Sequence, residues 1–338
     1  MVPALAVADA LRAEGAEVVF IGGDRAEAEL VPAAGYRLHS LPVRGLSRSH
    51  PLRALHALGL AAVAVPRARR LLKRLRADAM LGGGGYVAGP VGVAALSLRL
   101  PLVLTEADSH LGLTNRLLAP FARRVCLAFA LPGREGRRYR VTGRPIPPPS
   151  GDRAAGRARF GVAEDETFVV VFGGSLGSRS INLAAIKAFA DAPFRVLHIT
   201  GHRDYSTFSV HDLRAGYELL AYLDLDSFGL ALAAADLAVA RSGGSVFELA
   251  AYGVPAVLIP FPYAAGDHQS SNARWMAAAG AASVIPDGEL SAARLSGEVA
   301  ALLADEHRLR TMAAASHGLA RPRAAAEVAE ELLQVARR

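Results

Sequence analysis

Residues 168–182 read FVVVFGGSLGSRSIN: five apolar positions in succession, a turn with three glycines, then a stretch of helical period. A run that is apolar at every position suits a strand buried on both faces, the kind found inside parallel sheets. The glycine turn therefore closes a strand and opens a helix. Such a turn offers unpaired backbone N–H groups and the positive end of a helix dipole to an anion, above all a phosphate. Tight strand-to-helix turns that bind nothing have the same composition, so on its own this stretch leaves the ligand open.

The same alternation recurs on both sides of it. EVVFIG (17–22), DAMLG (78–82), PLVLT (101–105), RVLHIT (195–200), YELLAYL (217–223), DLAVA (236–240), PAVLIP (255–260) and ASVIP (282–286) read as further short strands, with helical stretches between them. Strands alternating with helices predict an α/β fold with parallel sheets covered on both faces. Near the middle, VTGRPIPPPSGD (141–152) carries consecutive prolines that exclude helix and central strand, and it reads as a semi-rigid linker. The chain is thus expected to form two doubly wound domains, 1–145 and 152–320. A last helix in 321–338 is expected to pack back on the first.

A chain of 338 residues with 52% hydrophobic content can bury a core in each half, and the 6% aromatic share makes those cores aliphatic. The single cysteine, Cys126, excludes an internal disulfide and sits in an apolar stretch that reads as core. The opening MVPALAVADAL lacks a basic region ahead of a long apolar run, so no secretory leader is expected. The segment AAVAVP (61–66) is too short to span a bilayer. A cytoplasmic location is the default expectation.

The net charge of +7 is unevenly shared, because residues 1–150 hold 21 Lys and Arg against 10 Asp and Glu, and the remainder holds 17 against 21. The excess peaks in PRARRLLKRLR (66–76), which follows LRALHALGLAAVAV (52–65) and reads as an apolar segment running into a basic helix. Either this is a solvated face beside the core, or it attaches to an anionic membrane surface, with Arg67, Arg69, Arg70, Lys73, Arg74 and Arg76 meeting lipid. Nucleic acid is not expected as a partner, since no basic stretch is interleaved with aromatics.

Ligands of doubly wound sheets bind outside the carboxyl ends of the strands, so the loops there carry the functional reading. Three are glycine-rich: LGGGGYVAGPVGVAA (81–95), FGGSLGS (172–178) and ARSGGSVFELAAYG (240–253). Two of them fall in the second domain and fit a diphosphate. No Gly-Lys-Ser/Thr occurs, which argues against a P-loop nucleotidase, and the spacing departs from the dinucleotide GxGxxG. Glu248 stands one turn into an otherwise apolar helix, where a carboxylate either complements the dipole or accepts hydrogen bonds from both hydroxyls of a ribose. No Asp-x-Asp and no His/Cys cluster with ligand spacing is present, so neither a metal nor another cofactor is expected.

Taken together and in order, GGGGYVAGPVGVAA, TEADSHLGLTN (105–115), FGGSLGSRSIN, RSGGSVFELAAYGVPAVLIPFP (241–262) and DHQSSNARWMAAAGAA (267–282) resemble the MurG family of N-acetylglucosaminyltransferases. The resemblance runs from Pro3 to the C-terminus. It implies a GT-B architecture, two Rossmann-like domains around a cleft, with the second holding UDP-N-acetylglucosamine. It also implies the family's reaction, inverting and metal-independent transfer of the sugar to lipid I to form lipid II, at the cytoplasmic face of the membrane.

Carried over by position, the resemblance puts Gly174 and Ser175 at the nucleotide sugar, Leu223 at the uracil, and Gly243, Gly244 and Ser245 at the diphosphate. Glu248 falls at the ribose, Gln269 at the sugar, and His268, Arg241 and Asp108 at further substrate-binding positions. Asp108 replaces the family's usual asparagine in Glu106-Ala107-Asp108, and Pro147 replaces an arginine in TGRPIP (142–147), leaving Arg144 as a substitute. The loop 240–248 is one residue shorter than usual. The family's first strand, its glycine-rich loop and a candidate general-base histidine would lie upstream of Met1, which suggests a start placed downstream of the true one. The base is thus unassigned. Two other readings stay open: another UDP-sugar enzyme of the same architecture (a lipid glycosyltransferase or a 2-epimerase), or a catalytically silent UDP-sugar-binding protein.

Overall fold

The computed structural model describes residues 1–24, 26–43, 51–149, 151–174 and 176–336, with 51–58 and 265 followed through the backbone alone. The chain divides into two compact units, residues 1–147 with 321–338, and residues 148–320.

In the first unit, β1 (Val19–Gly22) pairs with β2 (Arg37–Ser40). A separate sheet takes β3 (Met80–Gly82), β4 (Leu102–Glu106), β5 (Arg124–Leu127) and β6 (Tyr139–Val141) in chain order. All pairings are parallel, and among the described residues no ladder joins β1 to β3. The helix Val2–Ala13 divides its apolar residues between two partners. Leu5 and Ala8 pack with Val31 and Tyr36, while Val7 and Leu11 pack with Val328, Leu332 and Val335 of the last helix, Ala324–Ala336.

Glu331 pins that last helix from the inside, 2.7 Å from Arg124 and 2.9 Å from Arg140. A carboxylate so deeply buried is tolerable because two guanidinium groups pair it. Cys126 belongs to the same cluster, where burial pushes its thiol up to about 12, so it packs as an inert core residue.

Residues 52–75 fall in one continuous helix, Pro51–Leu75, and Arg76 lies just past its end. Within its described side chains Ala64, Ala68, Leu71 and Leu72 are buried, most of them against Val91, Ala94 and Ala95 of the helix Gly85–Ser97, while Arg67, Arg70, Lys73 and Arg74 are exposed. Arg69 is drawn to the end of its neighbour, donating to Ser97 O at 2.7 Å. The apolar side of this stretch therefore serves the core. No helix among the described residues is long and apolar enough to cross a membrane.

The second unit holds one six-stranded parallel sheet made of β7 (Phe168–Phe172), β8 (Arg195–Ile199), β9 (Tyr217–Leu220), β10 (Leu237–Ala240), β11 (Ala256–Leu258) and β12 (Ala282–Val284). Its order is β12-β11-β10-β7-β8-β9. No residue of β7 is more than 3% exposed, which is the both-face burial that its unbroken apolar run requires. The helix Arg153–Arg159, capped by Asp152 accepting from Ala155 N–H at 2.8 Å, begins where the proline-rich segment ends.

Candidate functional site

The strand order of the second unit creates a switch point. From β7 the chain winds outward through β8 and β9, then crosses to the other side of β7 and winds outward through β10, β11 and β12. β7 and β10 run side by side with Phe172 opposite Ala240, so the turns that follow them start as neighbours and diverge. Crevices at such points are where open α/β sheets bind ligands.

After β7, Gly174 and Gly177 take positive φ values of 86° and 73°. A Cβ on Gly177 would fall 1.9 Å from Thr200 O, so this turn lies directly on the end of β8 and only glycine fits there. Gly174 is exposed, and Ser175 lies outside the described residues.

After β10, Ser242 is fully buried and donates from Oγ to Gln269 O at 2.8 Å. Asn272 Nδ2 donates to Ser242 O at 2.9 Å and to Gly243 O at 3.3 Å. These bonds occupy the carbonyl side of the turn. Among the described residues the N–H groups of Gly243, Gly244 and Ser245 donate to no carbonyl, and they lead into the helix Val246–Tyr252. Half-buried Glu248 stands in its first turn.

Gln269 is oriented beside this turn. Its Oε1 accepts from Phe261 N–H at 3.0 Å, and its Nε2 lies 3.9 Å from where a Cβ on Gly243 would be. The donor end of the amide thus borders the candidate phosphate turn. His268, half-buried, opens the helix His268–Ala278 after a sharp bend at Gly266 and Asp267, both with positive φ. On the far side of β7, half-buried Leu223 precedes Asp224, which caps the helix Leu225–Ala234 by accepting from Ser227 N–H at 2.8 Å. Bonds from the N–H and hydroxyl of Ser227 hold that carboxyl below its ordinary range.

Arg241 also comes to this edge, but its guanidinium is engaged within the protein. NH1 is 2.7 Å from Asp287 Oδ1 and donates to Ile259 O and Pro260 O, while NH2 donates to Ser180 Oγ at 2.8 Å. The remaining expected residue, Asp108, lies in the first unit. There buried Glu106 accepts from Asp108 N–H at 3.2 Å, Gly112 N–H at 2.8 Å and Asn115 Nδ2 at 2.9 Å, so one carboxylate shapes the whole loop. Sequence reasoning passed over Asn272, Ser180 and Asp287. Asn272 is one helical turn beyond Gln269, a spacing that puts it on the same face and was the available signal. Asp287 has no local signal at all.

The two family models that match are the glycosyltransferase family 28 N-terminal domain over residues 1–127 and the C-terminal domain over residues 168–329. The chain is 41% identical over 339 residues to a UDP-N-acetylglucosamine–N-acetylmuramyl-(pentapeptide) pyrophosphoryl-undecaprenol N-acetylglucosamine transferase of Rubrobacter xylanophilus, covering 98% of this chain and 99% of the relative. It is 39% identical over 351 residues to the Moorella thermoacetica protein of the same name, covering 98% and 95%. Among solved structures, MurG of Acinetobacter baumannii superposes with a TM-score of 0.76 at 27% identity, covering 98% of this chain and 95% of that one. The fold is GT-B, with two Rossmann-like α/β units.

Proposed function

The chain belongs to glycosyltransferase family 28, in its MurG branch, and on that premise we propose that it transfers N-acetylglucosamine from UDP-N-acetylglucosamine to the C4 hydroxyl of the N-acetylmuramyl sugar of lipid I, forming lipid II for peptidoglycan. The observation that carries the reading is the switch point between β7 and β10, where the two glycine turns, Glu248 and Gln269 belong to one end of one sheet.

The chemistry follows from that arrangement. The acceptor hydroxyl gives its proton to a base, and its oxygen attacks the anomeric carbon. The bond from that carbon to the β-phosphate oxygen breaks, and UDP departs with the electron pair. Negative charge then grows on the diphosphate, where N–H groups of Gly243, Gly244 and Ser245 serve as fixed donors that need no reorganisation. Glu248 holds the ribose hydroxyls, Gln269 orients the sugar, and the backbone at Leu223 meets the uracil.

A lipid-linked acceptor requires the enzyme to work at a bilayer, and we assign that contact to the cytoplasmic face, through the first unit. Arg67, Arg70, Lys73 and Arg74 form an exposed basic face, and exposed apolar side chains are supplied by Val63, Leu113, Leu117 and Phe121. The helices Pro51–Leu75 and Leu113–Leu118, which carry all of these but Phe121, both pack on Gly85–Ser97, and Phe121 ends the 3-10 turn Ala119–Phe121 that follows the second of them.

Calorimetry with UDP-N-acetylglucosamine on the wild type and Glu248→Ala tests the donor site. Removing a charged acceptor of two hydroxyl hydrogen bonds costs about 1.5–3 kcal/mol, so Kd should rise at least tenfold with an unchanged circular dichroism spectrum. An unchanged Kd would reject the ribose role.

A further inference from the structure

Arg241 opens the candidate phosphate turn, yet its side chain is only 9% exposed and points into a set of contacts drawn from three other segments. Ser180 belongs to the helix Arg179–Ala188 that follows the β7 turn, Ile259 and Pro260 follow β11, and Asp287 follows β12. Ser180 Oγ accepts from Arg241 NH2 and donates to Asp287 Oδ1, each at 2.8 Å, which closes a triangle with the 2.7 Å ion pair. Ser180 Oγ also lies 3.3 Å from Ser178 Oγ, on the last residue of the β7 turn.

The same contacts reach the predicted sugar contact. Arg241 NH1 holds Pro260 O at 3.2 Å, and its guanidinium carbon lies 5.3 Å from the centre of the Phe261 ring. Phe261 N–H is the group that fixes Gln269, and Gln269 in turn borders Gly243. With an acid on one side and two carbonyls on the other, the guanidinium is neutralised and both of its terminal nitrogens are engaged within the protein.

We propose that Arg241, Asp287 and Ser180 form a positioning clamp that sets the spacing of the loops after β7, β10, β11 and β12, holding the phosphate turn and Gln269 in place for the nucleotide sugar. Arg241 thereby acts through the loops it joins, and Asp287, an acid, serves the binding of an anion. The clamp rests on the donor-site reading given above.

Calorimetry with UDP-N-acetylglucosamine, run well below each protein's melting temperature, separates this from direct contact with the diphosphate. In the clamp, Asp287→Asn weakens binding by about tenfold, and the pair Arg241→Gln with Asp287→Asn is no weaker than Arg241→Gln alone, because residues in one contact network are not additive. In turnover, KM for the donor rises while KM for the acceptor stays unchanged, whereas a merely structural lesion lowers the active fraction and leaves KM alone. Binding by Asp287→Asn equal to or tighter than the wild type, or losses that add, would overturn the clamp. Should Asp287→Asn fail to fold, Ser180→Ala removes the bridging hydroxyl without burying an unpaired charge. It should weaken binding several-fold, and unaltered affinity there would equally overturn the clamp. If the wild type itself did not bind UDP-N-acetylglucosamine, the donor-site reading would fall. If it bound and the variants matched it, only the clamp would.

Discussion

His198 is fully buried in β8, and both of its ring nitrogens are used. Asn182 Nδ2 donates to Thr200 O at 3.0 Å, which turns Asn182 Oδ1 toward His198 Nε2 at 3.0 Å; Nε2 therefore carries the proton, and Nδ1 accepts from Tyr217 Oη at 2.8 Å. Burial pulls the imidazole down to about 3 from its ordinary 6.5. In the interval between those values the unfolded chain binds a proton that the folded chain refuses. Stability is full above about pH 6.5 and falls toward pH 3, by about 1.4 kcal/mol per unit. Melting temperature against pH should show this slope in the wild type, and His198→Gln should be less stable at pH 8 but flatter below pH 6.5. Parallel curves would place the acid sensitivity elsewhere. At this scale the turns at Gly174 and Gly243, with Glu248 one turn beyond the second, could be read from the motifs because a short glycine turn announces itself locally, whereas the expectation for Gln269 came from the family resemblance. Arg241 shows the limit: its place in the motif suggested a ligand contact, while its partners Ser180 and Asp287 are brought to it only by the folded sheet.

At the scale of elements, the strands that were legible are those with continuous apolar runs. β2, β5 and β6 were missed for physical reasons. β2 and β6 hold no fully buried residue, so no apolar pattern marks them, and β5 is a three-residue apolar core, Val125 to Leu127, set behind paired arginines. The basic helix Pro51–Leu75 was legible as a helix, but its partner was not. Ala64, Ala68, Leu71 and Leu72 pack inward, so the proposed membrane contact falls to the exposed cations and not to these apolar residues. Sedimentation with anionic vesicles should lose salt-sensitive binding when Arg67, Arg70, Lys73 and Arg74 are changed to Gln. Each cation near the surface contributes about 1 kcal/mol. Equal pelleting of wild type and variant at every salt concentration would remove this helix from the membrane contact.

On the scale of the whole molecule, the two α/β units carry different charge, 25 Lys and Arg against 13 Asp and Glu in the first and 13 against 18 in the second, and the one proposed to meet anionic lipid is the basic one. The second unit brings its glycine turns to one end of its sheet, which ties the donor reading to fold as well as to motif. The central claim is group transfer to a lipid-linked acceptor. Its direct test is to incubate the chain with UDP-N-acetylglucosamine labelled in the sugar and a lipid I analogue, and to follow the label by chromatography and mass spectrometry. The expected result is acceptor-dependent passage of one N-acetylglucosamine to the muramyl C4 position with release of one UDP, and less of that product from Glu248→Ala at donor concentrations below its raised Kd. Conversion of the labelled nucleotide sugar to its 2-epimer without acceptor, or binding with no transferred label, would contradict it.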